Sequence, residues 1–99
     1  MAQIIGQSGR LTLNDSYIKF ENWNIYANNV GLKEWFGSFE IQKSDFFRVF
    51  SLLAQQVNAD FYGNENYNGE IIIDETPFGP SDDPVVVYFM VTGELTKSS

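Results

Sequence analysis

The strongest constraint on the fold is a strand-like alternation that is apolar on both of its faces. Residues 85–91 read VVVYFMV, so the odd-numbered and the even-numbered positions are both apolar. Residues 35–41 read WFGSFEI and also repeat with a period of two. This period predicts β-strands, and a strand that is apolar on both faces must be covered on both sides. This pattern therefore argues against a single small sheet with one face exposed to solvent.

Further strands are predicted on either side of this pair. Residues 10–13 and 17–27 alternate around the turn-forming segment LNDSY. In the second of these strands, the apolar residues before Asn22 fall on one face and those after it on the other, which predicts a bulge or a bend near that point. Shorter apolar segments at 59–62 and 70–74 predict two more strands.

One helix is predicted between the strands, over residues 45–56, with Ser44 as its N-cap. The resulting fold class is mainly β (α+β), a β-sandwich or barrel-forming sheets with one α-helix packed on them. We expect a single domain over residues 1–99. Residues 1–9 are small and polar and predict a flexible arm, and residues from about 96 to 99 predict a tail.

Composition excludes several functions. The 99-residue chain has no cysteine and no histidine, so it lacks disulfides, thiolate metal ligands and the commonest general base. The chain has six basic and thirteen acidic residues, and the resulting net charge of −7 disfavours tight binding to nucleic acid. Adjacent carboxylates at 74–75 and 82–83 are typical of solvated turns. We expect no enzyme activity, no cofactor, no metal and no signal peptide.

The aromatic share of 16% leaves two accounts open. In the first, the chain is a small monomeric β-sandwich binding module, for example for carbohydrate, with a stacking platform formed by Trp23, Tyr26, Trp35, Tyr62 and Tyr67. In the second, the apolar excess is buried between copies of the chain. One small helix cannot cover every two-faced strand, which favours assembly.

The order of these segments resembles that of the phage major tail tube protein family, of the long-tailed phage type. The segments that carry the resemblance are SGRLTLNDSYIKFENWNI, VGLKEWFGSFEI, the helix at 45–56 and the closing VVVYFMVTGELT. Together they span residues 8–96. The chain departs from the family in one place, because only residues 27–33 fill the position of a long loop that helps to stack the rings. It therefore resembles a short version of the family.

The resemblance implies a virion structural protein, made in the host cytoplasm, that forms hexameric rings stacked into a hollow tube. DNA would pass through the tube without specific binding, and the partners would be further copies and other phage tail proteins. Another tail or neck component of the same fold is the alternative within the virion. Strands of neighbouring subunits would join into one continuous barrel around a lumen.

Three groups of residues receive roles in this picture. The candidates for the subunit interface are Ile4, Ile5, Phe36, Tyr88 and Met90. The residues expected in the core under the helix are Trp35, Phe39, Ile41, Phe46 and Phe50. The candidates for the lumen surface are Glu40 and Glu94, since acidic side chains there would repel phosphates.

Overall fold

The computed structural model describes residues 3–27, 35–74, 84–93 and 95–98. Within these ranges it contains seven β-strands, a 3-10 turn (Lys43–Asp45) and one short α-helix, α1 (Phe46–Phe50). The strands are β1 (Gln3–Thr12), β2 (Tyr17–Ala27), β3 (Trp35–Ile41), β4 (Gln56–Tyr62), β5 (Asn66–Ile73), β6 (Val85–Val91) and β7 (Thr96–Ser98). The prediction of a mainly β fold with one helix is confirmed.

The strands close into an antiparallel barrel. The order around it is β4, β1, β2, β3, β6 and β5, and a further pairing of β4 with β5 completes the circle of six strands. The seventh strand, β7, pairs with β5 beyond the end of β6. Closure satisfies most strand edges within one chain.

The barrel interior is a packed core. Eighteen apolar side chains are buried, and no polar or charged side chain of the described residues is buried with them. The centre is a group of stacked rings: Phe39 lies 4.3 Å from Phe20 and 5.4 Å from Phe89 between ring centroids. Rings bury large areas and pack well in offset stacks, so a short chain fills the barrel with few residues. The barrel itself therefore holds no channel.

The predicted bulge in β2 is confirmed. The register between β2 and β3 shifts between Glu21 and Asn24, and Asn22 has a φ of 50°. The assignment of the flanking apolar residues to opposite faces was wrong, because the bulge inserts one residue and so restores the phase. The side chains on both sides of the bulge point inward and are buried: Ile18, Phe20, Trp23 and Ile25.

Residues 3–9 and 96–98 are more ordered than the sequence indicates. Residues 3–9 form the first part of β1 and pair with β2, starting with Gln3 opposite Tyr26. Residues 96–98 form β7 and pair with β5. The predicted arm and tail are therefore paired strands over these residues. Residues 3–9 carry no charge and no proline, so nothing in them opposes ladder pairing.

The helix is much shorter than predicted. It covers five residues instead of twelve, its N-cap is Asp45 rather than Ser44, and no side-chain cap bond forms. The chain then leaves the helical path through turns that end at Ala54, whose φ is 62°. Val57, which matched the helical spacing, is buried from β4. A helical period over so few turns does not separate a long helix from a short one followed by a strand.

Four of the five residues expected in the core under the helix belong to the core, while their place under the helix itself stays a prediction. Phe39, Ile41 and Phe46 are buried, and Trp35 is half-buried against the same core. The assignment of Phe50 to the core was wrong, since its side chain is 53% exposed. It stacks on Phe46 at 5.8 Å from outside the barrel.

Candidate assembly surface on the outer face of the barrel

One row of large apolar side chains crosses the outer face of four neighbouring strands. Tyr26 of β2 lies opposite Phe36 of β3, Phe36 lies opposite Met90 of β6, and Met90 lies opposite Ile72 of β5. Directly opposed residues of antiparallel strands point to the same face, so these four side chains are neighbours. The rings of Tyr26 and Phe36 are 6.4 Å apart.

The adjacent row is apolar at its ends and polar in the middle. It runs from Ile5 of β1 through Asn24 and Ser38 to Tyr88 of β6. The amide Nδ2 of Asn24 donates to Oγ of Ser38 at 2.9 Å, so this pair is internally satisfied. Ile5 and Tyr88 are 68% and 45% exposed, respectively.

A third row is acidic at one end. Glu21 lies opposite Glu40, and Glu40 lies opposite Val86. Glu40 is half-buried and accepts a bond from Nδ2 of Asn22 at 3.1 Å. Glu40 thus lies on the face opposite Phe39, as the strand alternation predicted, while its place on a lumen remains a prediction. Glu94 lies outside the described residues.

These three rows define a single surface that we call the outer apolar patch. Its members are Ile5, Tyr26, Phe36, Ile72, Val86, Tyr88 and Met90. Four of the five predicted interface residues lie in it. The fifth, Ile4, pairs with Ile25 on the inner face and packs against the core. Contiguous exposed apolar surface is uncommon on small soluble monomers and marks contact sites.

Three members of the patch are absent from the sequence-based interface set: Tyr26, Ile72 and Val86. Val86 belongs to the same alternating face as Tyr88 and Met90, so the period of β6 contains the signal for it. Tyr26 and Ile72 join the patch only through the register of β2 and β5 with their neighbours. Register is not readable from either strand alone.

A small apolar hollow borders the first row. Its volume is about 330 Å³, and its lining consists of Phe36, Ala54, Ile72, Ile73, Asp74 and Met90. It lies between the row and the turn that follows α1, so a side chain from another molecule has room to enter beside Phe36. A pocket that receives an anchoring side chain is typical of protein interfaces.

The five rings of the predicted sugar platform are not brought together. Trp23 is 1% exposed, and its Nε1 donates to the carbonyl oxygens of Ser8 at 2.7 Å and Tyr62 at 3.0 Å. Tyr26 belongs to the outer apolar patch, and the hydroxyl of Tyr67 donates to Glu65 at 2.8 Å. Trp23 is thus a structural residue that ties β1 to β4.

The described residues contain no group of three or more His, Cys, Asp or Glu side chains placed to hold a metal ion. In the same part of the chain, no helix has the length and apolar character needed to cross a membrane.

Comparisons with protein-family models, with curated proteins and with solved structures found no match to the chain. The class of protein is therefore defined by the fold alone: a closed, six-stranded antiparallel β-barrel with an added strand and one short helix. A fold of this kind supports many functions, so a functional argument must come from its surface.

Proposed function

We propose that this chain is a structural protein that assembles with copies of itself, as a short member of the phage tail tube type. Its subunits would form hexameric rings, and the rings would stack into a hollow tube through which DNA passes. The role needs no catalysis and no cofactor. The observation that carries the proposal is the outer apolar patch, whose members lie on five neighbouring strands of the barrel wall.

The exposure of the patch supports contact with another protein surface. Tyr26, Val86, Tyr88 and Met90 are each between 37% and 45% exposed although they lie within regular strands. An isolated barrel gains nothing from large apolar side chains on its outer wall, whereas burial stabilises an interface by about 25 cal/mol per Å² of apolar surface. Aromatic residues and methionine are also the types enriched in interfaces.

A strand edge next to the patch supports the same proposal. The second half of β1, from Ser8 to Thr12, pairs with β4, but residues 3–6 pair only with β2 in the described part of the chain. Six strands already pair within one chain, so joining between subunits would use this remaining edge together with the patch. The expected joining of strands between neighbouring subunits would therefore run through this edge.

The charge of the chain suits a conduit for DNA. With a net charge of −7, copies placed around a lumen would repel phosphates rather than bind them. Glu21 and Glu40 lie side by side at the acidic end of the outer rows. In a ring of copies, this pair would form part of an acidic band.

Negative-stain electron microscopy of concentrated protein tests the proposal. The wild-type protein is expected to form rings or tubes. Phe36→Ser is expected to reduce their number, because it removes the central ring of the first row, while leaving the thermal unfolding midpoint close to that of the wild type. Phe47→Ser is the matched control, since Phe47 is 75% exposed on α1 and lies outside the patch.

The result of the two variants separates the patch from general loss of apolar surface. Equal loss of assembly in both variants would show that nonspecific hydrophobic association, and not the outer apolar patch, drives assembly. Micrographs that show only unassembled molecules of the wild-type protein at the highest soluble concentration would contradict the proposed tube.

A further inference from the structure

A groove at the border of the outer apolar patch, with which it shares Ile5, opens where β1 and β2 change phase together. Its volume is about 820 Å³, and it runs along the first half of β1 towards the turn between β4 and β5. Gln7 and Asn22 lie opposite each other but are absent from the β1–β2 pairing, which is interrupted at this point. The two residues form one wall of the groove. The opposite wall is the segment from Tyr62 to Asn64.

The floor of the groove is rigid. The buried indole of Trp23 holds the backbones of Ser8 and Tyr62 through its two hydrogen bonds. Gly6 packs so closely that an added Cβ would lie 2.3 Å from the Trp23 ring and 2.6 Å from the Tyr62 carbonyl oxygen. The groove is thus shaped in advance, which reduces the cost of ordering a ligand site.

The lining is uncharged, although 19% of the residues of the chain are charged. Five carboxamide side chains contribute to it: Gln3, Gln7, Asn22, Asn24 and Asn64. Each carboxamide both donates and accepts hydrogen bonds. Asn22 and Asn24 each use Nδ2 on a neighbour outside the groove, Glu40 and Ser38, which holds these two side chains in place.

This chemistry matches hydroxyl groups better than ions. A hydroxyl donates and accepts, as a carboxamide does, whereas an anion or a cation needs a charged partner that the lining does not supply. Ile5 and Tyr62 add apolar surface at the two sides of the groove, which suits the C–H faces of a sugar ring. The volume is sufficient for a short chain of sugar units.

We propose that this groove binds a neutral glycan, with the carboxamides as hydrogen-bonding partners. The site differs from the sugar platform considered for the exposed rings, because it uses amides beside a buried tryptophan. It does not depend on assembly, and its failure would leave the proposed tube unaffected. An extended peptide that pairs with the free edge of β1 is the competing occupant.

The experiment is a titration of ¹⁵N-labelled protein, at concentrations where it sediments as a single chain, with neutral trisaccharides. The probes are maltotriose, cellotriose and triacetylchitotriose, and a synthetic peptide that copies residues 3–12 is titrated separately. At least one trisaccharide is expected to give saturable shifts of the side-chain amide signals of Gln7 and Asn64. Asn64→Asp is expected to weaken that binding roughly five- to tenfold, through loss of one donor and gain of a charge.

Asn14→Asp is the matched control, since Asn14 is an exposed carboxamide in the turn before β2 and lies outside the groove. Its binding is expected to equal that of the wild type. The proposal is overturned if no trisaccharide gives saturable shifts, if the shifts lie elsewhere on the barrel, or if Asn64→Asp binds as well as Asn14→Asp. Shifts caused by the peptide and by no trisaccharide would assign the groove to strand pairing instead.

Discussion

At the scale of single residues, glycines decide how closely the barrel walls approach the core. Gly37 lies in the middle of β3, where an added Cβ would be 2.2 Å from the backbone oxygen of Asn24 and 2.6 Å from the ring of Phe89. A glycine in the interior of a strand is typical of such a close approach. Only a residue without a side chain lets the ring layer and the neighbouring strand meet at this point.

Gly37→Ala is expected to destabilise the fold by about 1–3 kcal/mol, because neither the strand backbone nor the enclosed ring can move freely. The control is Gly93→Ala, where no atom lies within 4 Å of the added Cβ. The control should stay within about 0.5 kcal/mol of the wild type in urea unfolding. A Gly37 variant as stable as the control would show that the wall has more room than the geometry indicates.

A second prediction concerns the amide of Asn68, which organises a polar cluster on the outside of β4 and β5. Its Nδ2 donates to Asp60 at 2.7 Å and to Asn58 at 3.0 Å. Asn68→Asp replaces this donor by a carboxylate facing another carboxylate, and we expect it to cost roughly 1–3 kcal/mol at neutral pH. The loss should shrink at acidic pH, when one of the two carboxyls takes up a proton and donates again.

Urea unfolding at neutral and acidic pH measures both effects. Asn66→Asp is the control on the same strand, because Asn66 serves as an acceptor for the N–H of Gly63 and a carboxylate also accepts. If the Asn68 variant lost the same stability at both pH values, repulsion between carboxylates would not be the cause.

At the scale of elements, the alternation of side chains predicted a strand best where the alternate residues also point into the packed core. The segments at 17–27 and 35–41 end where the structure ends them, and the bulge near Asn22 was visible as a change of phase. Residues 3–9 were missed, since pairing of a polar, neutral segment depends on a partner strand and leaves little periodic signal. The helix was overextended, because buried Val57 of β4 continued its spacing by coincidence.

The outer apolar patch was predictable in part, again from the alternation of side chains along the strands. Phe36, Tyr88 and Met90 stand out because their strands are apolar on both faces. The barrel covers only the inner face of these strands within one chain, so the cover predicted for the second face is missing there. Ile4 and Ile5 could not be told apart, because the phase of β1 depends on the irregularity it shares with β2 at Gln7. A shift of one residue exchanges the inner and outer faces of a strand.

The element with the weakest attachment is β7, which pairs with β5 over three residues and is held by a charged cluster. Nζ of Lys97 lies 2.6 Å from Glu65, and the Tyr67 hydroxyl donates to the same carboxylate at 2.8 Å. The hydrogen bond from Lys97, followed by that from Tyr67, lowers the pKa of Glu65 below its usual 4.5. The hydrogen bond to Glu65 raises the pKa of Lys97 above 10.5.

These directions set the pH range in which β7 stays paired. The contribution of Glu65 is present above pH 4.5 and is lost as the pH falls through its lowered pKa. That of Lys97 is present below pH 10.5 and is lost as the pH rises through its raised pKa. Glu65→Gln is therefore expected to increase the mobility of Thr96 and Lys97 at neutral pH, measured by heteronuclear NOE.

Because the cluster is exposed, added salt should weaken it in the wild type and leave the Glu65 variant unchanged. Glu70→Gln is the control, since Glu70 is an exposed glutamate on β5, the strand with which β7 pairs, and lies outside this cluster. Equal mobility of β7 in the wild type and both variants would mean that the strand ladder alone holds it.

At the scale of the whole molecule, the barrel buries the apolar side chains of its inner face and leaves those of its outer face partly exposed. Inside, stacked rings and aliphatic side chains complete a core without any buried polar group among the described residues. Outside, the outer apolar patch stays exposed on one chain, which a small acidic protein tolerates because its net charge of −7 opposes random aggregation. Specific contact between copies would remove this surface from water.

The mass of the protein in solution as a function of concentration measures this contact most directly. Sedimentation equilibrium of the wild type should show the mass rising from 11.3 kDa for one chain towards a ring of six as the concentration increases. Phe36→Ser should shift that rise to clearly higher concentration. A mass that stays at 11.3 kDa throughout the soluble range would contradict the assembly of copies through the outer apolar patch.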